Sequence, residues 1–195
     1  MTICAVYNHN FYNDNLYEKK VMEKTNNILY VMAYKNFQDE EYFETKKIFE
    51  NSGYKTKISS SIIGEGQGKL GSSVNIELLF SEVDTVNFDA IIFIGGLGCI
   101  TLWDDWRAQG LAKLFLENQK IVAGIGSGVV IMANAGILKN IKAACSTADE
   151  SHVRHGEADI VGDNVVISGN IITAEGSKSA KEFANTLINV LNNNN

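Results

Sequence analysis

The amino-acid sequence predicts an α/β fold, a doubly wound, mostly parallel sheet with helices on both of its faces. Three observations support this prediction. Continuous apolar runs of strand length occur at residues 27–34, 88–94 and 121–123, as expected for strands buried on both faces. Segments with helical spacing, each about a dozen residues long, alternate with these runs. The chain of 195 residues has the length of a single domain and is long enough to bury a sizeable core.

The first strand and the first helix are predicted near the start of this domain. Residues 27–34 form an unbroken apolar strand, and a helix follows from about residue 36. Acidic residues at positions 39–41 suit the positive end of the helix dipole. Phe43 and Phe49 are predicted on the inner face of this helix, and Gly53 is predicted to end it.

The later elements follow from the same kinds of pattern. A glycine-rich segment at residues 64–68 is predicted to be a hairpin tip, because it lacks the Lys-Ser/Thr pair of a phosphate-binding loop. Trp103 and Trp106 are predicted to pack in the core or against a second subunit. The other predicted elements are strands at residues 54–63, 72–79, 88–96 and 138–146, a hairpin at 159–174 with its tip at Gly169-Asn170, and helices at 103–118 and 179–191.

Residues 120–136 carry the pattern of a nucleophile elbow, in which a buried strand turns sharply into a helix. Gly124, Gly126 and Gly128 lie at the turn, and the central position, Gly126, has no side chain. A dinucleotide-binding turn is disfavoured because Val129 stands where that motif needs a glycine. Ser127 is not in the nucleophile position of a Gly-x-Ser-x-Gly hydrolase motif, because the flanking positions are not glycine.

Ligands of doubly wound sheets bind beyond the carboxyl ends of the strands. Three features of the sequence converge there: Glu41 after the first strand, the Gly95-Gly96 pair after the strand at 88–94, and the elbow. We therefore predict that these segments form one site. For Glu41 two interpretations stay open, an ordinary acidic residue in the first turn of a helix or a carboxylate in the pocket.

Composition and charge narrow the classes of partner. The chain is 45% hydrophobic and 21% charged, with a net charge of −6 and no basic run. Nucleic acid and anionic membrane partners are therefore not expected, and no apolar run reaches the ~18 residues of a membrane span. Cys4, Cys99 and Cys145 have no paired spacing and are interpreted as free thiols, which predicts a cytoplasmic protein. We predict no cofactor and no metal site.

The predicted domain covers residues 27–191. Residues 1–26 are polar and weakly patterned and are predicted to be an N-terminal extension, with Met22 as an alternative start. Residues 192–195 are predicted to be a frayed tail.

Four stretches together resemble one known family: Phe-x-x-x-Glu at residues 37–41, Phe-Asp-Ala with a terminal Gly pair at 88–96, the glycine-rich elbow at 122–128, and Ala-Gly-Ile-Leu at 135–138. The chain from residue 27 to 191 resembles the ThiJ/PfpI family, the Parkinsonism-associated deglycase and intracellular protease group. The resemblance implies the class I glutamine amidotransferase-like fold, a flavodoxin-like three-layer sandwich.

The resemblance also implies roles for particular residues. In the family, a cysteine at the position of Gly126 is the nucleophile, a glutamate at the position of Glu41 contacts it, and backbone amides at Gly95 and Gly96 help to form an oxyanion site. Family members act on small carbonyl or amide compounds and are mostly dimers, so a ligand of that kind and a homodimer are expected. The chain departs from the family at Gly126 and at Ser127, where a histidine is common.

Two functional hypotheses follow from these departures. Thiolate attack needs a thiol at the elbow, so the favoured hypothesis is a stress-related binding or structural homologue without the usual thiol chemistry. The alternative is an active glyoxalase-, deglycase-, amidase- or peptidase-like enzyme that uses a displaced residue, Cys99, Cys145 or Ser127. For the two cysteines, small buried apolar residues are the simpler interpretation. His152 and His155 are predicted to lie in a solvated loop.

Overall fold

The computed structural model describes residues 24–193, and the predictions for residues 1–23 and 194–195 lie outside it. The twelve strands described there are β1 (Asn27–Val31), β2 (Lys35–Phe37), β3 (Lys55–Ser60), β4 (Gly64–Gly68), β5 (Ser73–Ile76), β6 (Leu78–Leu79), β7 (Ala90–Phe93), β8 (Ile121–Ile125), β9 (Lys142–Ala143), β10 (Asp159–Ile160), β11 (Val165–Ser168) and β12 (Ile171–Ala174). The five α-helices are α1 (Asp39–Asn51), α2 (Trp106–Glu117), α3 (Gly128–Asn134), α4 (Glu150–His155) and α5 (Ala180–Asn193).

A seven-stranded sheet forms the centre of the molecule, with the strand order β11-β12-β8-β7-β1-β3-β6. Every neighbouring pair in it is parallel except β11 and β12, which form the predicted hairpin. Strands β2, β4 and β5 form a second, three-stranded sheet, and β9 pairs with β10. The prediction of a doubly wound, mostly parallel sheet is confirmed.

The two faces of the large sheet carry separate hydrophobic cores. In β1, Leu29 and Val31 belong to the core that includes residues of α2 and α3, whereas Ile28 and Tyr30 belong to the core that includes residues of α1 and α5. Alternate side chains of a strand point to opposite faces, so a strand covered on both sides must be apolar throughout. This arrangement explains the continuous apolar runs of the sequence and confirms the three-layer fold.

The first helix begins later than predicted, because residues 35–37 form β2. The prediction that Phe43 lies on the inner face is wrong, since its side chain is 41% exposed. The buried positions include Tyr42, Thr45 and Phe49, at intervals of three and four residues. Thr45 is tolerated there because its hydroxyl bonds to the main-chain carbonyl of Glu41 at 2.7 Å and to the Tyr30 hydroxyl at 2.8 Å.

The glycine-rich segment 64–68 is strand β4, so its prediction as a hairpin tip is wrong. It pairs in parallel with β2 and antiparallel with β5. The glycines permit a close approach of backbones: a Cβ on Gly66 would lie 3.2 Å from the Tyr34 carbonyl oxygen and 2.7 Å from the Ile76 side chain. Glycine here marks close packing of strands instead of a turn.

Three further predictions need correction. Trp106 is the first residue of α2 and is 78% exposed, so it does not pack in the core, and its packing against a second subunit stays a prediction. His152 and His155 lie in the short helix α4 instead of a loop, and α5 extends to Asn193, past the predicted end.

Within residues 24–193, no helix has the length and apolar character needed to span a membrane.

The contact between β7 and α3 predicts opposite effects for two glycine-to-alanine changes in helices. A Cβ on Gly128 would lie 2.2 Å from the Phe93 carbonyl oxygen, whereas a Cβ on Gly110 in α2 meets no atom within 4 Å. We expect Gly128→Ala to lower the free energy of unfolding by about 2 kcal/mol or more, and Gly110→Ala to raise it by about 0.5–1 kcal/mol. Urea unfolding of both variants measures these changes, and shifts of the same sign would contradict the packing described.

Candidate functional site

The strand-to-helix corner predicted between β8 and α3 is present, and Gly126 lies at its centre. Gly126 has a φ of +57°, a left-handed conformation that glycine adopts without the penalty of a Cβ. Its N–H donates to the carbonyl oxygen of Ala174 at 3.0 Å, and its carbonyl accepts from the N–H of Val129 at 3.2 Å. These bonds hold the corner between the end of β12 and the first turn of α3.

Glu41 lies in the first turn of α1, and its carboxyl is packed against Gly126 and Gly95. Its side chain is only 4% exposed, and Oε2 accepts a hydrogen bond from the N–H of Gly95 at 2.8 Å. The carbonyl of Gly95 accepts from the N–H of Gln38 at 3.0 Å. The start of α1 and the turn after β7 are therefore joined by two hydrogen bonds in opposite directions.

The carboxyl of Glu41 occupies the space into which a side chain at position 126 would project. A Cβ built on Gly126 would lie 2.6 Å from Oε1 of Glu41, and its three nearest atoms all belong to that carboxyl. A Cβ on Gly95 would lie 2.9 Å from Oε2. The carboxyl is thus packed between two glycines, and each of its oxygens takes up room that a larger residue would need.

Burial raises the pKa of Glu41 from 4.5 to about 8, because the charged form loses its hydration. The Gly95 hydrogen bond opposes this shift, and the negative charges of Glu40 and Asp149 add to it. At pH 7 the group is therefore mainly a neutral carboxylic acid, which is able to donate a hydrogen bond as well as accept one.

Ser127 follows Gly126, and its hydroxyl bonds twice to the backbone of one residue. Its Oγ accepts from the N–H of Gly96 at 2.9 Å and donates to the carbonyl oxygen of Gly96 at 3.1 Å. The carbonyl of Ser127 accepts from the indole N–H of Trp103 at 3.1 Å and from the thiol of Cys99 at 3.5 Å. Among the histidines and carboxylates of residues 24–193, none bonds to this hydroxyl.

The two thiols of the described chain are both buried and stay protonated. Burial raises the pKa of Cys99 to about 12, and the bond to Ser127 only partly opposes the shift. Burial, helped by the charges of Glu150 and Asp149, raises the pKa of Cys145 to about 11. Because the thiolate is the reactive form, neither cysteine has the environment of a nucleophile.

Sequence reasoning missed the other groups around the elbow. The Trp103 indole bonds to the elbow backbone and contacts the His152 ring in a tilted arrangement with ring centroids 4.7 Å apart. Asp149, held by the hydroxyl of Ser146 at 2.7 Å, acts electrostatically on Glu41 and on both thiols. These residues come from distant segments with no local motif, so only the fold brings them together.

In the part of the chain that the structure describes, the site combines a buried acid with a serine bonded to the backbone and two buried thiols. Within residues 24–193, no three histidine, cysteine, aspartate or glutamate side chains are grouped to hold a metal ion. A shallow groove of about 570 Å³ lies beside the site, between α1 and the start of α5. Its lining residues are Glu40, Phe43, Glu44, Lys47, Ser177, Lys178 and Lys181, and Gly126 is not among them.

The buried acid predicts a pH-dependent effect of Glu41→Gln on stability. The folded pKa of about 8 lies above the ordinary value of 4.5, so the folded state binds the proton more tightly and the wild type loses stability as pH rises between these values. Glutamine is neutral throughout. Between pH 4.5 and about 8, we expect the free energy of unfolding of Glu41→Gln to rise relative to that of the wild type by up to about 1.4 kcal/mol per pH unit. Outside this range, the difference between the two proteins should not change with pH.

Urea unfolding from pH 4 to pH 9 measures this difference. Glu44→Gln is the matched control, since it removes an exposed carboxylate from the same helix. It should show no comparable slope. A pH-independent difference between Glu41→Gln and the wild type would contradict a buried acid with a raised pKa.

Comparison with known proteins identifies the group to which this fold and site belong. The model of the DJ-1/PfpI family matches residues 26–190. A ThiJ/PfpI domain protein from Brachyspira murdochii is 71% identical, with a TM-score of 0.87 over 88% of this chain and 99% of that one. An uncharacterized protein of Methanocaldococcus jannaschii is 34% identical over 93% of this chain and 90% of its own length, and a deglycase of Thermococcus kodakarensis is 28% identical over 74% and 87%. The chain belongs to the DJ-1/PfpI family.

Proposed function

We propose that this protein is a DJ-1/PfpI family member without thiol chemistry at its elbow, in which the fold serves a binding or structural role. The observation that carries this proposal is the contact between Gly126 and Glu41. A Cβ at position 126 would lie 2.6 Å from Glu41 Oε1, so the acid occupies the space into which the family's cysteine side chain would project.

The other nucleophiles near the corner do not substitute for that cysteine. Among the described residues, the Ser127 hydroxyl bonds to the N–H and the carbonyl of Gly96, and neither group is a base that would activate it. Cys99 and Cys145 are buried, and their raised pKa values keep them as thiols near neutral pH. A catalytic nucleophile must be ionised or activated by a base, and it must also be able to reach the substrate.

A small carbonyl or amide compound and a second copy of the chain are the partners proposed by analogy with the family. A neutral Glu41 supports the first, because a carboxylic acid donates a hydrogen bond to a carbonyl oxygen. Its Oε1 faces Gly126, and the Gly95 N–H donates to Oε2. An alternative function is turnover of a reactive carbonyl by a displaced residue. The deglycase name of the Thermococcus kodakarensis relative favours this alternative.

Methylglyoxal turnover distinguishes the two functions. We expect no turnover above the buffer rate in the wild type and a measurable rate in Gly126→Cys, because the substitution supplies the missing sulfur beside Glu41. Gly126→Ala is the control, since it adds a Cβ in the same left-handed conformation without a thiol. Both variants should lose about 1 kcal/mol or more of stability from the positive φ and the contact with Glu41, so circular dichroism must first show that they fold.

A wild-type rate that exceeds the buffer rate and equals or exceeds that of Gly126→Cys would overturn the proposal and favour the displaced-residue enzyme. In that case Cys99→Ala, Cys145→Ala and Ser127→Ala identify the residue responsible. Loss of turnover in one of them alone would assign the chemistry to that side chain.

Thiol labelling tests the proposal without a substrate. We expect iodoacetamide at pH 7 to modify neither Cys99 nor Cys145 in the native protein, because both are buried and their pKa values of about 12 and about 11 leave almost no thiolate. Both should react in urea at higher pH. Peptide mapping by mass spectrometry separates them from Cys4, and fast native labelling of either one would contradict the assignment.

A further inference from the structure

Both amide groups of the glycine pair after β7 are occupied by side chains of the protein itself. The N–H of Gly95 donates to Glu41 Oε2 at 2.8 Å, and the N–H of Gly96 donates to the hydroxyl of Ser127 at 2.9 Å. These N–H groups are the donors at this end of the strand that an oxygen atom of a ligand would meet. Without movement of a side chain, neither donor is free.

The two occupants differ in how firmly they are held. Glu41 is buried between Gly95 and Gly126, and its helix is joined to Gly95 by the bond from Gln38. The Ser127 side chain is only half-buried, and rotation about one bond, χ1, withdraws its hydroxyl from Gly96. Ser127 is therefore the movable group, whereas Glu41 is fixed.

The backbone at Ser127 is held by hydrogen bonds that do not involve the side-chain hydroxyl. Trp103 and Cys99 both donate to the Ser127 carbonyl, so the main chain at this residue is held independently of its side chain. Gly96 has a φ of +107°, and a Cβ there would lie 2.6 Å from Asn36 O and from Gln38 N, so the turn is closely packed. The direction of the Gly96 N–H is fixed by this packing.

From this geometry we propose that Ser127 is a positioning residue that closes an oxygen-binding position at the Gly96 N–H. Its hydroxyl takes the place of a ligand oxygen, and a small carboxylate or carbonyl compound binds at Gly96 when the hydroxyl is withdrawn or removed. The proposal rests on the proposed function in one respect, that Gly126 places no nucleophile at the corner. It adds the group that controls access to the Gly96 N–H.

The exchange of one amide proton tests this proposal. Gly95-Gly96 is the one Gly-Gly pair in the 195 residues, so labelling glycine with both ¹³C at the carbonyl and ¹⁵N makes the Gly96 amide identifiable in a single HNCO spectrum. In the wild type we expect this amide to exchange slowly and to keep its chemical shift when formate is added. In Ser127→Ala we expect about tenfold faster exchange, as loss of one hydrogen bond predicts, and a saturable shift with formate.

Ser146→Ala is the matched control, because it removes a nearby hydroxyl that bonds to Asp149 instead of Gly96. It should leave the exchange and the formate response of Gly96 unchanged. Unchanged exchange in Ser127→Ala, faster exchange without a formate-dependent shift, or a wild-type shift as large as that of the variant would each overturn the proposal. None of these outcomes bears on methylglyoxal turnover, so failure here is distinguishable from failure of the proposed function.

Discussion

The pair of hydrogen bonds between the first turn of α1 and Gly95 holds the site together. One bond runs from the Gly95 N–H to the Glu41 carboxyl and the other from the Gln38 N–H to the Gly95 carbonyl. Helix α1 follows β1 and the short strand β2, while Gly95 follows β7, and β1 and β7 are neighbours in the sheet. The pair therefore fixes where the helix begins relative to the carboxyl ends of the strands, and with it the position of the acid over the corner.

A buried carboxyl with so few partners is unfavourable when ionised, and the protein accommodates it by keeping it neutral. Glycine at positions 95 and 126 is what permits its placement, because a Cβ at either residue would lie within 3 Å of a carboxyl oxygen. The left-handed backbone at Gly126 adds a second reason for glycine there. The identity of the residue at the corner and the burial of Glu41 are thus parts of one packing arrangement.

The sequence predicted the parts of the structure that depend on local pattern. Apolar runs indicated the strands of the large sheet because both of its faces are covered, and the glycine spacing indicated the elbow because the turn needs a positive φ at Gly126. The roles predicted for Glu41, Gly126, Ser127, Gly95 and Gly96 come from family resemblance, and the geometry supports them without testing them.

Other features were not predictable because they depend on tertiary contacts. Gly66 indicated a turn, but it permits close packing of three short strands. Trp106 was expected in the core or against a second subunit, and within the chain it lies at the solvent-exposed first position of α2. Asp149 and Trp103 lie near the elbow but come from separate segments of the chain, and no local sequence pattern predicts this.

The shortness of β6 has a consequence for association between chains. This strand has only two residues and forms one edge of the seven-stranded sheet, where unpaired amide groups would otherwise act as a template for a strand of another molecule. The N–H of Leu79 is satisfied by the carboxylate of Glu82 at 2.8 Å, within the 3₁₀ turn that follows. A strand of another molecule would meet few unpaired backbone N–H and C=O groups at this edge. The β6 side of the sheet is therefore protected from strand addition and from aggregation that starts by strand addition.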